Sequence, residues 1–186
     1  VTVTEPDPAN QPSGTLVSTY SCDWMKHLSG VSMTRGGTTQ VRTFVYDDAG
    51  RLTSAINPES GPVAWYYNAD NTLWYKHDEK GQDTVYTYDT VQRVTQVQRY
   101  PAGKTNAEDT CQRVTYSYGT NPYSTTFSQY AYGRLAAVSY GTGCVSGSYA
   151  GPQMTEMYSY HRAGAVTAKD LKASTALIKE AIKDLK

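Results

Sequence analysis

Phe44-Val45-Tyr46-Asp47-Asp48-Ala49-Gly50-Arg51-Leu52 reads as a strand, a tight turn and a returning strand. Phe44 and Tyr46 alternate with Val45 at the strand period of two, so the two rings share one face. Asp47 has the side chain that bonds forward to turn amides, and Gly50 tolerates the positive φ that closes a hairpin. Arg51 and Leu52 begin the way back, one polar and one apolar.

Recurrence gives this stretch its weight. Tyr86-Thr87-Tyr88-Asp89 followed by Arg93-Val94 repeats it, with Gln92 in the glycine place. Trp65-Tyr66-Tyr67-Asn68 followed by Leu73 swaps Asn for Asp, and Tyr20-Ser21-Cys22-Asp23 followed by Leu28 puts a cysteine in the second aromatic slot. Phe127-Ser128-Gln129-Tyr130 followed by Gly133-Arg134-Leu135 keeps the return best, and Tyr158-Ser159-Tyr160-His161 is the last copy. Tyr116-Ser117-Tyr118-Gly119 shows the strand without a matching return. Positions 46, 67 and 88 lie 21 apart, and 22 to 46 is 24. A period near 20 residues marks a repeat array, in which each unit buries its apolar face against its neighbours.

At these residues the chain resembles the Rhs/YD-repeat family, which includes bacterial Rhs proteins, Tc-toxin shell components and the teneurins. Tyr46-Asp47-x-x-Gly50-Arg51-Leu52 fits the family's Y-D-x-x-G-R-L signature in full, and the resemblance covers residues 20–166. It implies a curved antiparallel sheet of repeated hairpins, all-β, that forms part of a hollow shell. It further implies a scaffold that encloses a C-terminal toxin polypeptide or supports surface adhesion, secreted or at the cell surface. The expected partners are other repeats of the same shell or an enclosed C-terminal polypeptide. The family's self-cleaving core motif, of the Asp-Pro-x-Gly-Leu type, has no counterpart, since Asp7-Pro8 runs on into Ala9-Asn10.

The composition suits such a sheet. Seventeen tyrosines stand beside two phenylalanines in 186 residues, with only three isoleucines, too few aliphatics for a compact α/β core. Tyrosine rings pack on sheet faces while their hydroxyls reach a partner. A formal net charge of zero argues against nucleic acid as a partner. No apolar run approaches the ~20 residues of a membrane-spanning helix. Without a methionine ahead of Val1, the sequence reads as an excised fragment or a mature product.

Three segments are expected. Residues 1–14, carrying Pro6, Pro8 and Pro12, form an extended linker or edge. Residues 15–166 form the repeat array, broken by irregular insertions at 100–113 and 141–152. Residues 167–186 read as an amphipathic tail, native or a fusion segment. There Ala168, Leu171, Thr175, Ile178, Ile182 and Leu185 follow steps of 3, 4, 3, 4 and 3, the stripe of a short C-terminal helix. Val166 to Lys169 also fall where other copies place a return strand, so the helix is expected to begin nearer Asp170 or Ser174. Sheet edges and this helix are the expected sites of self-association.

Cys22, Cys111 and Cys144 form no CxxC pair, which excludes the usual zinc frameworks. Cys22 replaces an inward aromatic and is expected to be a buried thiol. Cys111 and Cys144 sit in the two insertions, placed to bridge them in an oxidising compartment. His27, His77 and His161 are far apart, and Asp47 and Asp89 have turns to hold. No nucleophile has a placed base, and no Walker A, G-x-S-x-G or H-E-x-x-H motif is present. The expectation is a non-enzymatic chain with neither cofactor nor metal. An alternative rests on Trp65, Tyr66, Trp74 and Tyr75, similar to the aromatic repeats of choline- and glucan-binding proteins. These four are the candidates for glycan stacking.

Overall fold

The computed structural model describes residues 1–9, 14–103, 107–146 and 149–174. They divide into two units, residues 1–81 and 82–186. In the first unit seven strands follow in chain order, each antiparallel to the last: β1 (Thr2–Pro6), β2 (Thr15–Cys22), β3 (Leu28–Arg35), β4 (Thr38–Tyr46), β5 (Leu52–Asn57), β6 (Gly61–Tyr67) and β7 (Leu73–Asp78). In the second unit β8 (Asp83–Tyr88), β9 (Val94–Tyr100), β10 (Val114–Tyr118) and β11 (Leu135–Tyr140) form an antiparallel meander. A separate ribbon of β12 (Val145–Ser146) and β13 (Tyr149–Ala150) precedes β14 (Met154–Tyr160), which pairs with β11 and with β15 (Val166–Ala173). The described residues are all-β and antiparallel, apart from one 3-10 turn.

Six hairpins close in one way. Just before each turn the register slips, so that Cys22 faces Leu28, Tyr46 faces Leu52, Tyr67 faces Leu73, Tyr88 faces Val94, Tyr118 faces Leu135 and Tyr160 faces Val166. Each slip adds one residue to the return strand, a β-bulge that bends it and increases the local twist. The residue before the return strand's cation position has positive φ in every copy of the five-residue turn. It is Gly50 (76°) and Gly164 (100°) in two of them, but Lys26 (70°), Asn71 (69°) and Gln92 (63°) in the others. The turn's hydrogen bonds therefore impose the left-handed conformation even on side chains that resist it.

The tightest packing lies in the second unit around β11. Ala136, Ala137, Val138 and Ser139 are buried there, with Thr155, Met157 and Ser159 on β14. Ala137 faces Met157 and Ser139 faces Thr155, so small side chains on β11 make room for the buried Met157. The insertions close down on it. Ser128 Oγ donates to the Ala136 carbonyl, the Gln129 amide donates to Ser159 Oγ, and Ser139 and Thr142 hydroxyls lie 2.9 Å apart. A disulfide joins Cys111 to the buried Cys144, tying the 3-10 turn Thr110–Gln112 to the segment before β12. In the first unit the corresponding face carries Val41, Val45, Ile56 and Tyr66, all about half exposed.

Three expectations are corrected. Phe127–Tyr130 is not a repeat strand: these residues lie in an irregular insertion, and the strand opposite Leu135 is Tyr116–Tyr118. The strand without a return and the return without a strand are halves of one hairpin, separated by residues 120–132. The helical stripe fails at its first members, because Ala168 and Leu171 lie in β15 paired with Ser159 and Glu156. Pairing along β14 satisfies their backbone groups, which outweighs a helical spacing of side chains. Thr175, Ile178, Ile182 and Leu185 lie outside the described residues. Cys22, expected to be buried, is exposed.

Candidate functional site

The repeat signature assembles a latch within each turn and then between turns. Asp47 uses one carboxylate oxygen to accept from the Ala49 and Arg51 amides, at 3.0 and 2.9 Å, and the other to accept Arg51 Nε at 2.8 Å. Asp89 does the same with the Val91 and Arg93 amides and Arg93 Nε, at 3.0, 2.9 and 2.7 Å. The Arg51 and Arg93 amides lead in holding the two carboxyls below the ordinary carboxylate range. The aspartate therefore orders the turn and fixes the direction of the arginine.

The arginine then reaches the next hairpin. Arg51 lies over the Tyr67 ring at 4.8 Å and donates to Asn71 Oδ1 at 2.8 Å. Arg93 lies over Tyr118 at 4.2 Å and donates to the Gly133 carbonyl at 2.9 Å. Arg134 lies over Tyr160 at 5.5 Å. In return each tyrosine hydroxyl donates to the carbonyl of the residue after the arginine: Tyr67 to Leu52 at 2.8 Å, Tyr118 to Val94 at 3.0 Å and Tyr160 to Leu135 at 2.7 Å. Burial pushes all three phenols above the usual tyrosine range. Cation–π attraction and a buried hydroxyl bond thus join neighbouring repeats side by side.

The first turn uses a histidine for the same purpose. The His27 amide donates to Asp23 at 2.8 Å, its Nδ1 lies 3.0 Å from the other Asp23 oxygen, and its ring stacks on Tyr46 at 4.7 Å. In the third turn Asn68 takes the aspartate position, its Nδ2 donating to Thr72 Oγ1 at 2.8 Å, while Asp70 Oδ1 accepts from the Thr72 amide and hydroxyl at 3.0 and 2.6 Å. His27, Thr72 and Tyr118 were not among the sequence candidates. The signal that finds the first two is the spacing of four from the Asp or Asn; Tyr118 is hidden by the insertion. Gly133 has φ 71° and carries Arg134 into the same position as Gly50 carries Arg51.

The remaining sequence candidates fall into two groups. Phe44 faces Ala55 and Tyr86 faces Val97, both small or buried partners across the strand. The ring contacts of Tyr46, Tyr67, Tyr118 and Tyr160 run to cationic or imidazole side chains. Tyr158 donates to Glu156 and lies under Lys169, whose ammonium also pairs with Glu156 at 2.9 Å. Of the four glycan-stacking candidates, Tyr66 and Tyr75 face each other across β6 and β7 with centroids 5.4 Å apart, and Trp74 lies 5.7 Å from Tyr75. Trp65, one residue from Tyr66 in an extended strand and paired with Lys76, belongs to the opposite face. No group of three or more His, Cys, Asp or Glu side chains suited to a metal occurs among the described residues. Among them, too, no helix is long and apolar enough to cross a membrane.

No family model matches the sequence, and no curated protein matches it. Solved structures do match its fold. A chain of the TcdB2–TccC3–Cdc42 crystal structure aligns over 92% of this chain with a TM-score of 0.61 and 17% identity. A chain of the Photorhabdus luminescens Tc holotoxin pore, carrying a TccC3 D651A mutation, aligns over 94% at 0.61 and 18% identity. One of the TcdB2–TccC3 crystal structure aligns over 94% at 0.60 and 17%. This chain spans 9% of the length of each. The Rhs/YD-repeat resemblance read from the turns is matched in three dimensions: the chain has the fold of a segment of these Tc-toxin chains.

Proposed function

We propose that the chain is a non-enzymatic stretch of shell wall, built from the repeat array of residues 15–166, that encloses or presents other polypeptides outside the cell. The observation that carries this reading is the latch. The recurring charged residues Asp47, Arg51, Asp89 and Arg93 spend their hydrogen bonds ordering turns and gripping the next hairpin, an extensible construction. Likeness in fold to chains roughly ten times longer supports a place within a larger array. Among the described residues β1 pairs only with β2, and β15 only with β14, so both present an edge that a further repeat's strand would extend. The open face of Val41, Val45, Ile56 and Tyr66 fits contact with an enclosed or displayed polypeptide.

The test is limited proteolysis of the parent polypeptide under native conditions. An enclosed segment survives digestion until the repeat region is denatured, and is then cut at once. If all non-repeat segments are cleaved while the repeats stay folded, enclosure is refuted. A second reading, glycan binding, is favoured by one observation, the ring contacts that join Tyr66 to Tyr75 and Tyr75 to Trp74, with Tyr66 and Trp74 half exposed. Its test is binding on a glycan array that is abolished by Trp74→Ala; an array without signal removes it.

A further inference from the structure

Arg134 departs from the other arginines of the latch. The charges of Arg51 and Arg93 are met by Asp47 and Asp89, four residues upstream. In the fifth turn the aspartate position is taken by Gly119, whose amide still donates to the Arg134 carbonyl at 2.8 Å, as the Asp47 amide does to Arg51. The backbone half of the latch is kept and the carboxylate is lost. Arg134 donates instead to the Tyr130 carbonyl at 2.8 Å and lies over Tyr160, two partners without negative charge. Arg162, from the sixth turn, lies 5.3 Å from the centre of the Tyr130 ring and has no carboxylate partner among the described residues.

Two guanidinium groups therefore converge on Tyr130, and neither has a carboxylate partner among the described residues. Tyr130 has φ 51°, a conformation that bulky side chains avoid and that persists where surrounding structure holds it. Its ring is half exposed, and the neighbouring Tyr132 is 95% exposed. Asp89, reached through Arg93 and the Gly133 carbonyl, is already held by Arg93. We propose that Arg134, Arg162, Tyr130 and Tyr132 form a docking site for an acidic peptide segment, whose Asp or Glu carboxylate supplies the charge missing from the fifth latch. The other turns show which group the arginine Nε binds, a side-chain carboxylate; the Arg134 amide already donates to the Ala131 carbonyl at 2.7 Å, so the guanidinium is the group left for it. The exposed tyrosines provide flat apolar surface on which the peptide's methylene groups pack.

The test is calorimetric titration of the 186-residue chain with hexaglutamate, with hexaglutamine as the uncharged probe. Hexaglutamate is expected to bind and hexaglutamine not, with affinity falling as salt rises. Arg134→Gln and Arg162→Gln are each expected to weaken binding about tenfold, the loss of one hydrogen bond to a charged group. Arg162 makes no hydrogen bond within the chain's described residues, so R162Q tests the site without disturbing the fold. Lys80→Gln, at an exposed hairpin tip outside the latches, leaves binding unchanged. Absence of hexaglutamate binding overturns the proposal, as does binding that survives both substitutions. Inorganic phosphate or heparin binding as tightly as hexaglutamate overturns the assignment to a peptide.

Discussion

Replacing Arg93 by Ala removes the best-connected latch arginine. Three contacts go with it. The ion pair with Asp89 spans four residues and is about a third exposed on the arginine side, a setting worth about 0.5 kcal/mol. The bond to the Gly133 carbonyl adds about 1 kcal/mol. The approach to Tyr118 at 4.2 Å adds about 0.5–1 kcal/mol. Asp89 is not orphaned, because the Val91 and Arg93 amides still donate to it. The expected loss is therefore about 2 kcal/mol, read from urea unfolding midpoints at constant m-value. A double-mutant cycle with Tyr118→Leu isolates the contact between hairpins, with an expected coupling of about 0.5–1 kcal/mol. A total loss under about 0.5 kcal/mol, or a coupling of zero, would refute the reasoning that the arginine joins neighbouring repeats.

Further outcomes are expected. Gly50→Ala and Gly133→Ala each force alanine to positive φ and cost at least about 1 kcal/mol; Gly50→Ala costs more, because its Cβ would stand 3.2 Å from His27 Nε2 while Gly133 has open space. Differential scanning calorimetry ranks the two, and the reverse order contradicts the turn geometry. Reducing the Cys111–Cys144 disulfide, which spans 33 residues, lowers stability by about 3–4 kcal/mol in the chain-entropy picture, checked by urea unfolding with and without reductant. Asp47 and Asp89 are held low by amides of their own turns, and Glu108 by the Arg113 guanidinium. Folding thus favours their ionised forms, so their stabilisation is complete above the unfolded carboxyl value near pH ~4 and is lost as pH falls through the lower folded values. Urea midpoints should fall on acidification, less steeply in Asp89→Asn, and an unaltered slope in that variant contradicts the assignment. Thr115→Val is neutral or stabilising by up to about 1 kcal/mol, since the buried Thr115 hydroxyl has no hydrogen-bond partner among the described residues; a clear loss in thermal scans would show otherwise.

The hairpins at Tyr46–Leu52, Tyr67–Leu73 and Tyr88–Val94 were legible because every determinant is local: alternation, a turn aspartate or asparagine, and a short return. The fifth hairpin was not, because the pairing of Tyr118 with Leu135 spans an insertion, and only tertiary contacts such as Ser128 to Ala136 show the two ends meeting. Likewise the left-handed residues Lys26, Asn71 and Gln92 carry no glycine to mark them. The stripe through Ala168 and Leu171 fits a helix as well as a strand until β14 supplies its partner. What the sequence could least reveal is the latch between repeats. It joins Arg51 to Tyr67 and Arg93 to Tyr118, pairs set by lateral strand order and not by any fixed spacing along the chain.

That latch is the claim on which the scaffold reading rests, and nuclear Overhauser contacts test it directly. In isotopically labelled protein, the side-chain protons of Arg51, Arg93 and Arg134 should show cross-peaks to the ring protons of Tyr67, Tyr118 and Tyr160 respectively. Cross-peaks confined to each arginine's own turn, with none to the next hairpin's tyrosine, would contradict the account.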